Sequence, residues 1–219
     1  MVYITYIGER MNYKVQDQSS WKRKQHYDFY KDFSEPFFGL TVDIDITSLY
    51  LKAKERGISI FLAYVHEIMV AMNSVEEFRY RIAGDEVRIY DSIGLSATVA
   101  RDDETFGFSY VDYDPDFERF SHAVKTEFER VKGNSDLIPA TDKLNIIHFS
   151  SIPWIKFTSL SHARHFEFAD SIPKISAGKI FPADEKYLMP LSVHAHHALL
   201  DALQVSRFLE RLEHQINDH

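Results

Sequence analysis

The chain has 219 residues, of which 45% are hydrophobic and 26% charged, values typical of a folded globular protein and not of a disordered one. Its formal net charge is −8 at pH 7, and because no basic stripe offsets this acidity, nucleic acid has little electrostatic reason to bind. Cysteine is absent, which excludes disulfides, thiolate nucleophiles and cysteine-bound zinc.

The first half of the chain mixes helical and extended patterns. Ser19 and Ser20 can cap a helix that runs to about Lys31, and Thr47 can cap a second helix that Gly57 ends. Alternating apolar and polar side chains indicate strands, and apolar residues at spacings of three and four indicate helices. In chain order these patterns predict a helix over 21–31, a strand over 40–46, helices over 48–56 and 60–73, a hairpin of 80–82 with 87–90, and strands over 96–99 and 106–111.

The second half continues the mixture. Residues 117–131 place apolar side chains on one face, as an amphipathic helix does, and a strand is predicted over 145–151. Further strands are predicted over 174–181 and 187–196, and the last helix begins near Asp201. Because the elements lack the steady strand–helix alternation of a doubly wound sheet, we predict an α+β fold with a large mixed or antiparallel sheet covered by helices.

No segment of the sequence predicts a membrane span or a leader. The most apolar window, 58–72, is interrupted by His66 and Glu67 and is shorter than the ~20 residues that a span requires. Residues 1–6 lack the basic start and long apolar run of a signal peptide. With no repeat or linker either, we expect one domain over 1–219, in the cytoplasm, with neither membrane nor nucleic acid as a partner.

The stretch 192–201 concentrates the chemistry, with three histidines and an aspartate. Because successive side chains of a strand alternate between faces, His197 continues an apolar series while His194 and His196 face the other way. An imidazole at the end of an apolar groove can act as a general base near neutral pH. Asp201 can cap the last helix or pair with a cation, and either would hold the turn that aims His197.

Two other interpretations of this stretch stay open. A histidine in a strand is often purely structural, and three histidines with an aspartate can form a metal site. A regular strand would point His194 and His196 away from His197, so we expect no metal here.

The stretch resembles a known family. Residues 196–201, His-His-Ala-Leu-Leu-Asp, are similar to the His-His-x-x-x-Asp-Gly signature of chloramphenicol acetyltransferases, of which dihydrolipoamide acyltransferases share a shorter version. Other segments resemble the same family in the same order, and together they extend the likeness from about residue 21 to 212. They are Trp21–Tyr27, Glu77–Arg79, Asp91–Ser92, Thr98–Val99, Ser150–Ser159 and Leu188–Val193.

The resemblance implies the coenzyme A-dependent acyltransferase fold and transfer of acetyl from acetyl-coenzyme A to a small hydroxylated acceptor such as chloramphenicol. His197 would take the proton of the acceptor hydroxyl for direct attack on the thioester in a ternary complex. Ser150 would donate to the tetrahedral oxyanion. Asp201 would pair with Arg23 and so support the histidine turn. The resemblance also implies a homotrimer with active sites between subunits.

Further residues are assigned by their position in the resemblance. Trp154 and Phe29 also have a plain alternative as core aromatic residues. The cofactor-binding residues implied are Ser176, Lys179, Trp154 and Thr98. The acceptor-binding residues implied are Phe29, Tyr30, His148, Leu160 and His162.

The sequence departs from the family's pattern in two places. Ala202 replaces the glycine after the motif aspartate. His162 and Arg164 replace apolar residues of the acceptor pocket, and His148 replaces an asparagine or phenylalanine. Because an unpaired buried charge is costly, a polar or anionic acceptor would suit such a pocket better, unless these side chains turn to solvent. The alternatives are therefore an acetyltransferase for a more polar acceptor and an inactive coenzyme A-binding or ligand-binding homologue.

Overall fold

The computed structural model describes residues 12–137, 143–164 and 170–218. Residues 1–6, on which the expectation about a leader rests, lie outside these ranges. The helices are α1 (Lys24–Tyr30), α2 (Thr47–Arg56), α3 (Ile60–Ser74), α4 (Phe117–Lys132) and α5 (Ala202–Asp218). The strands are β1 (Tyr13–Val15), β2 (Phe37–Asp45), β3 (Tyr80–Ala83), β4 (Glu86–Tyr90), β5 (Gly94–Ala100), β6 (Phe106–Phe108), β7 (Ile146–Ser151), β8 (Lys174–Ala177), β9 (Phe181–Ala183) and β10 (Lys186–His196). Within the described ranges, no helix is long and apolar enough to cross a membrane.

Helix α1 is shorter than the sequence predicted. The hydroxyls of Ser19 and Ser20 donate to the Asp17 carboxylate at 2.7 and 2.8 Å, so neither serine caps the helix. The chain makes a turn here, and α1 begins only at Lys24. The predicted serine cap is wrong because a nearer carboxylate takes both hydroxyls.

The start of α2 also differs from the prediction. Thr47 is the first residue of the helix and makes no cap hydrogen bond. Its hydroxyl donates to the Asp45 carboxylate at 2.6 Å and accepts from the Tyr187 N–H at 2.8 Å, which ties the helix start to β10. The predicted end is confirmed, since Gly57 adopts a left-handed conformation with φ of +66°.

The strands form two sheets. The larger has the order β2-β10-β8-β7-β5-β6, with β9 paired to the start of β10. Strand β7 is parallel to β5 and β8, and the other pairs are antiparallel. The smaller sheet has the order β1-β4-β3 and contains the predicted hairpin, with Gly84 in its turn at φ of +60°. This large mixed sheet with helices confirms the predicted α+β fold.

One predicted strand, 174–181, is wrong as a single element. It divides into β8 and β9 at Gly178, whose N–H donates to the Pro190 carbonyl at 2.8 Å. A Cβ on Gly178 would lie 3.0 Å from the ring of Phe157 and 3.1 Å from Pro190. The close packing explains why glycine occupies the turn.

The predicted strand over 106–111 ends early, as β6. The Ser109 hydroxyl accepts from the Ala97 N–H at 3.1 Å and donates to the Ala97 carbonyl at 2.9 Å. The side chain thus replaces a backbone acceptor for the Ala97 N–H, while the Ser109 N–H still donates to the Ala97 carbonyl at 2.9 Å. Val111 returns to the sheet only as an isolated bridge to Leu95.

The large sheet has one apolar face and one polar face. Helices α2 to α5 pack on the apolar face, and their inward residues form one core with it. The strand residues of this core include Leu95, Ala97, Ile147, Phe149, Ile175, Leu191, Val193 and Ala195. The alternate residues of the same strands face the other way and are mostly polar, so the sheet presents a polar surface that these helices do not cover.

A smaller apolar cluster ties α1 to the small sheet and to the turn after β10. Its buried residues are Tyr27, Tyr80, Val87, Ile89, Ala198 and Leu199. Because Ala198 and Leu199 directly follow the histidines, this packing fixes the position of the histidine turn relative to α1.

Candidate active site

His197 lies at the first position after β10, where the chain turns toward α5. Its backbone N–H donates to the Pro36 carbonyl at 2.8 Å, one residue beyond the last paired residues of β10 and β2. Its ring stacks on Tyr30, with centroids 4.3 Å apart and planes 19° from parallel. Phe38 contacts the ring from another side at 4.7 Å between centroids. Two aromatic side chains therefore hold a half-buried imidazole.

The two nitrogens of the His197 ring have different surroundings. Nδ1 lies 3.3 Å from the Leu200 carbonyl oxygen, which can only accept a hydrogen bond. This contact favours the tautomer with the proton on Nδ1. The lone pair then lies on Nε2, which is the nitrogen that a general base needs to present.

Arg23 binds the histidine turn at three points. Its guanidinium donates to the Asp201 carboxylate at 2.8 Å, to the His197 carbonyl at 2.8 Å and to the Ala198 carbonyl at 3.2 Å. The Arg23 side chain is only 14% exposed. The planar fork of a guanidinium suits such multiple contacts, which a single ammonium cannot make.

Asp201 performs both roles considered from the sequence. One carboxylate oxygen accepts from the Leu203 N–H at 3.0 Å and so caps α5, while the other binds Arg23. Burial alone would raise the pKa of Asp201, but the hydrogen bonds and the charge of Arg23 lower it below the usual value. The carboxylate is therefore charged at neutral pH. Ala202, which replaces the motif glycine, is the first residue of α5 and is exposed.

The other two histidines of the stretch lie on the polar face. His196 is 4% exposed, its Nδ1 accepts from the Ala198 N–H at 3.2 Å, and burial lowers its pKa to about 4. His194 packs edge-on against His162, with centroids 4.9 Å apart. Across the described residues, no three His, Asp or Glu side chains are grouped as metal ligands would be.

Ser150 lies in a row of hydroxyls that crosses the polar face. The register aligns Ser150 on β7 with Ser176 on β8, Ser192 on β10 and Thr41 on β2. Thr98 donates to the Ser150 hydroxyl at 3.4 Å. The hydroxyls of Ser176 and Ser192 are buried and have no hydrogen-bond partner among the described residues.

His197 and Ser150 do not meet within one chain. Ser150 is two strands away from Ser192, and His197 is five residues further along the chain, which places the two Cα atoms roughly 20 Å apart. The His197 ring also contacts Phe38, which packs with the apolar core, whereas Ser150 belongs to the polar face. A base and an oxyanion donor of one active site must lie within a few ångströms of one carbon.

Two adjoining cavities open on the polar face. The first, of about 430 Å³, lies over β5, β7 and β8, and its wall includes Thr98, Ser150 and His148. The second, of about 450 Å³, includes Leu160 and His194. Both cavities are lined by His162, Arg164 and Lys174. The predicted acceptor residues His148, Leu160 and His162 thus line these cavities, while Tyr30 on α1 stacks on His197 and Phe29 contacts Tyr30.

Charged side chains in these cavities are paired. Lys174 is 6% exposed and binds Asp170. Burial lowers the pKa of Lys174. Burial alone would raise the pKa of Asp170, but the charge of Lys174 keeps that pKa below its usual value, so both groups remain charged. Arg164 binds Glu35 and lies over the ring of Phe37 at 3.9 Å. Arg164 therefore points into the protein and not to solvent.

Two residues assigned to coenzyme A lie on the surface near each other. Trp154 is 73% exposed, and the next residue, Ile155, accepts from the N–H of Lys179 at 2.9 Å. Phe29 is 63% exposed. The alternative that Trp154 and Phe29 are core aromatic residues is wrong, because both rings are largely open to solvent or to another molecule.

Several residues of the cavities were missed by the sequence reasoning. Lys174 and Asp170 are far from the histidine stretch, and no spacing rule connects them to it. Ser192 was placed on the correct face but given no role. The i, i+2 spacing of Lys174 and Ser176 was the available signal, since it places both on one face of a strand.

The comparisons with known proteins identify the family. The chloramphenicol acetyltransferase family model matches residues 11–213. The chain belongs to this family. "Chloramphenicol acetyltransferase 3" of Escherichia coli is 31% identical over 94% of this chain and 98% of that protein. A chloramphenicol acetyltransferase of Clostridium perfringens is 30% identical over 93% of this chain and 94% of that protein.

Solved structures give the same result. A chloramphenicol acetyltransferase superposes with a TM-score of 0.86 at 25% identity, over 94% of this chain and all of that one. A probable dihydrolipoamide acetyltransferase of Listeria monocytogenes superposes with a TM-score of 0.62 at 15% identity, over 89% of both chains, and shares the fold. As a member of the chloramphenicol acetyltransferase family, the chain is an acyltransferase, and the predicted family and fold are confirmed.

Proposed function

We propose that this acyltransferase transfers acetyl from acetyl-coenzyme A to a hydroxyl of a small acceptor, with His197 as the base. The arrangement of the histidine turn supports this role most strongly. The Tyr30 stack and the Nδ1 contact hold the ring and leave the lone pair on Nε2, and the three hydrogen bonds of Arg23 hold the turn that carries the ring.

The proposed reaction is a direct transfer in a ternary complex. Nε2 of His197 takes the proton of the acceptor hydroxyl as its oxygen attacks the thioester carbonyl carbon. The Ser150 hydroxyl donates to the oxygen that becomes negative, and Thr98 beside it orients that hydroxyl. When the carbon–sulfur bond breaks, the thiolate receives the proton from His197, which restores the free base.

The separation of His197 from Ser150 supports a site between subunits. Because the two residues lie roughly 20 Å apart in one chain, the base must approach the Ser150 of another copy. We propose a homotrimer, the arrangement that the sequence resemblance implies, in which each of three identical interfaces brings His197 of one subunit to Ser150 of the next. The exposed aromatic residues Phe29 and Trp154 are then available to an interface or to ligands.

The surface around Ser150 suits acetyl-coenzyme A at its thioester end. Ser176 has a buried hydroxyl without a partner in the described chain, one strand from Ser150. We propose that Thr98, Ser176 and the exposed Trp154 and Lys179 serve the cofactor, and that the reaction needs no metal. The cytoplasm remains the proposed compartment.

The test is release of free thiol from acetyl-coenzyme A, followed with a chromogenic disulfide across a panel of acceptors that includes chloramphenicol. We expect acceptor-dependent release that His197→Ala lowers at least ~10²-fold while coenzyme A binding survives. His122→Ala, on the exposed side of α4, is the matched control and should keep full activity. A His197→Ala variant with more than a few per cent of activity would mean that another group is the base. Coenzyme A binding without thiol release for any acceptor would favour an inactive homologue.

A further inference from the structure

We propose that the acceptor carries an anionic group, a carboxylate, which binds between Lys174 and His162 in the cavities of the polar face. This inference rests on the proposed acetyl transfer and names the class of its acceptor. Three features support it: the balance of charges in and around the cavities, the hydrogen-bond donors on the cavity wall, and the burial of these charges and donors.

Among the described residues, the charges that line the cavities balance, and one further positive charge is buried outside their lining. Lys174 and Arg164 are balanced by Asp170 and Glu35. Arg81 is that further cation: it is fully buried, lines neither cavity, and its charge acts on His148 and Lys174. The guanidinium of Arg81 donates to the backbone carbonyls of Phe78, Tyr80, Leu144 and Ile146, and none of these acceptors carries a charge. A monoanion in the cavities would offset the charge of Arg81.

The cavity wall is rich in donors. Lys174 uses its ammonium on Asp170 and on the Ile172 carbonyl at 3.2 Å and lies over the Phe37 ring at 4.5 Å, so its third N–H has no oxygen acceptor among the described residues and can donate to a ligand. His162 has an Nε2 that is buried and unpartnered among the described residues. His148 adds a third side chain to the same wall, one strand from Lys174. A carboxylate, with two oxygens and four lone pairs, can accept from several such donors at once.

The histidines donate without adding charge. Burial lowers the pKa of His148 and of His162 to about 4, so both rings are neutral near pH 7. Each neutral ring still carries one N–H. A neutral, apolar acceptor would leave these donors and the third N–H of Lys174 without partners, which costs free energy in a buried site. The donors therefore favour an acceptor group with several hydrogen-bond-accepting oxygens, and the charge of Arg81 favours an anionic group among these.

The test compares hydroxy acids with their own primary amides as acceptors in the thiol-release assay. The pairs run from 3-hydroxybutyrate to 4-(hydroxymethyl)benzoate, so that each pair differs only in charge. For the pair that fits the cavity best, we expect kcat/KM of the acid to exceed that of the amide at least ~10-fold. Equal or better turnover of every amide, or of chloramphenicol over every acid, would overturn the inference while leaving the transferase activity established. If no acceptor releases thiol, the proposed function fails and the inference with it.

Two single variants separate a charge effect from a loss of structure. Asp170→Asn removes a negative charge and should raise the acid-to-amide ratio several-fold. Lys174→Gln removes a positive charge and should lower the ratio several-fold. A merely structural role would reduce turnover in both variants with the ratio unchanged. Thermal melting checks that each variant folds. If Lys174→Gln does not fold, an Asp170→Asn ratio that is unchanged or lower than that of the parent protein would by itself overturn the inference.

Discussion

The guanidinium of Arg23 lies 2.8 Å from the Asp201 carboxylate and at the same time donates to the carbonyl oxygens of His197 and Ala198. One side chain from the segment before α1 therefore fixes both ends of the turn that carries the proposed base. The contact spans 178 positions in sequence, so it also ties the two ends of the described chain together.

Loss of Arg23 should lower stability and activity together. Arg23→Ala removes three hydrogen bonds and leaves Asp201 without its cation, and since Asp201 is partly exposed we expect a cost of about 2 kcal/mol in the free energy of unfolding. Arg23→Lys keeps the charge but reaches fewer acceptors, and should fall between the alanine variant and the parent protein. Thermal melting and thiol release measure the two effects. A fully stable and active Arg23→Ala variant would show that the pair of Arg23 with Asp201 does not hold the histidine turn.

The stack of Tyr30 on His197 should matter for turnover more than for folding. Tyr30→Leu removes the parallel ring and frees the imidazole to rotate, so we expect kcat to fall about 10-fold with little change in the KM for acetyl-coenzyme A. Tyr30→Phe keeps the ring and should retain most of the activity. Steady-state kinetics with both variants is the measurement, and an unchanged kcat in Tyr30→Leu would show that the stack does not position the base.

Gly39 should not tolerate a side chain. It pairs with His194 across β2 and β10, and a Cβ there would lie closer to three atoms of the His194 ring than real contacts allow. We expect Gly39→Ala to destabilise the protein by about 1–3 kcal/mol, and His194→Ala in the same chain to recover most of this loss. Gly133→Ala, whose Cβ would meet nothing closer than 3.4 Å, is the control and should be neutral or slightly stabilising. Chemical denaturation gives the free energy of unfolding of the parent protein, of Gly39→Ala, of Gly39→Ala with His194→Ala, and of Gly133→Ala. Equal stability of Gly39→Ala and Gly133→Ala would contradict the predicted clash.

Mild acid should destabilise the protein through its buried histidines. The pKa of His196 and of His148 is lowered from 6.5 to about 4 by burial, so between these values the unfolded chain binds protons that the folded chain does not. Stability therefore falls as the pH drops from about 6.5, and this contribution levels off near pH 4. The low pKa of Asp201 and Asp170 adds a further loss at still lower pH, where the unfolded chain protonates these carboxylates first.

The measurement is the melting temperature between pH 7.5 and 4.5. His196→Asn keeps an acceptor for the Ala198 N–H and cannot titrate in this range, so its melting temperature should vary less steeply with pH than that of the parent protein. Parallel curves for the two proteins would mean that His196 takes up its proton in the folded state as readily as in the unfolded chain.

Local patterns in the sequence predicted most of the elements. The apolar stripe of α4 is regular, and the structure places this helix at Phe117–Lys132, close to the predicted 117–131. Alternation likewise located β2 and β10 to within a few residues. Such patterns succeed because each depends only on which side of one element is buried.

Long-range features were beyond the sequence. The hydroxyl row through Ser150 and Ser176 depends on the register of β7 and β8, which are joined by parallel pairing and not by a hairpin. The pair of Lys174 with Asp170 and the pair of Arg164 with Glu35 likewise arise only when the cavity wall is assembled. The predicted serine cap failed for a local reason, since Asp17, two and three residues before the serines, accepts from both hydroxyls.

A complementation experiment tests most directly whether His197 acts on the Ser150 of another subunit. His197→Ala and Ser150→Ala are each expected to be severely impaired alone, the second by about 10²–10³-fold. When the two chains are co-expressed and assemble at random, roughly a quarter of the interfaces join an intact His197 to an intact Ser150, so activity should return to about a quarter of the parent level. Mixtures that stay as inactive as the separate variants, although mixed oligomers have formed, would contradict a site shared between subunits.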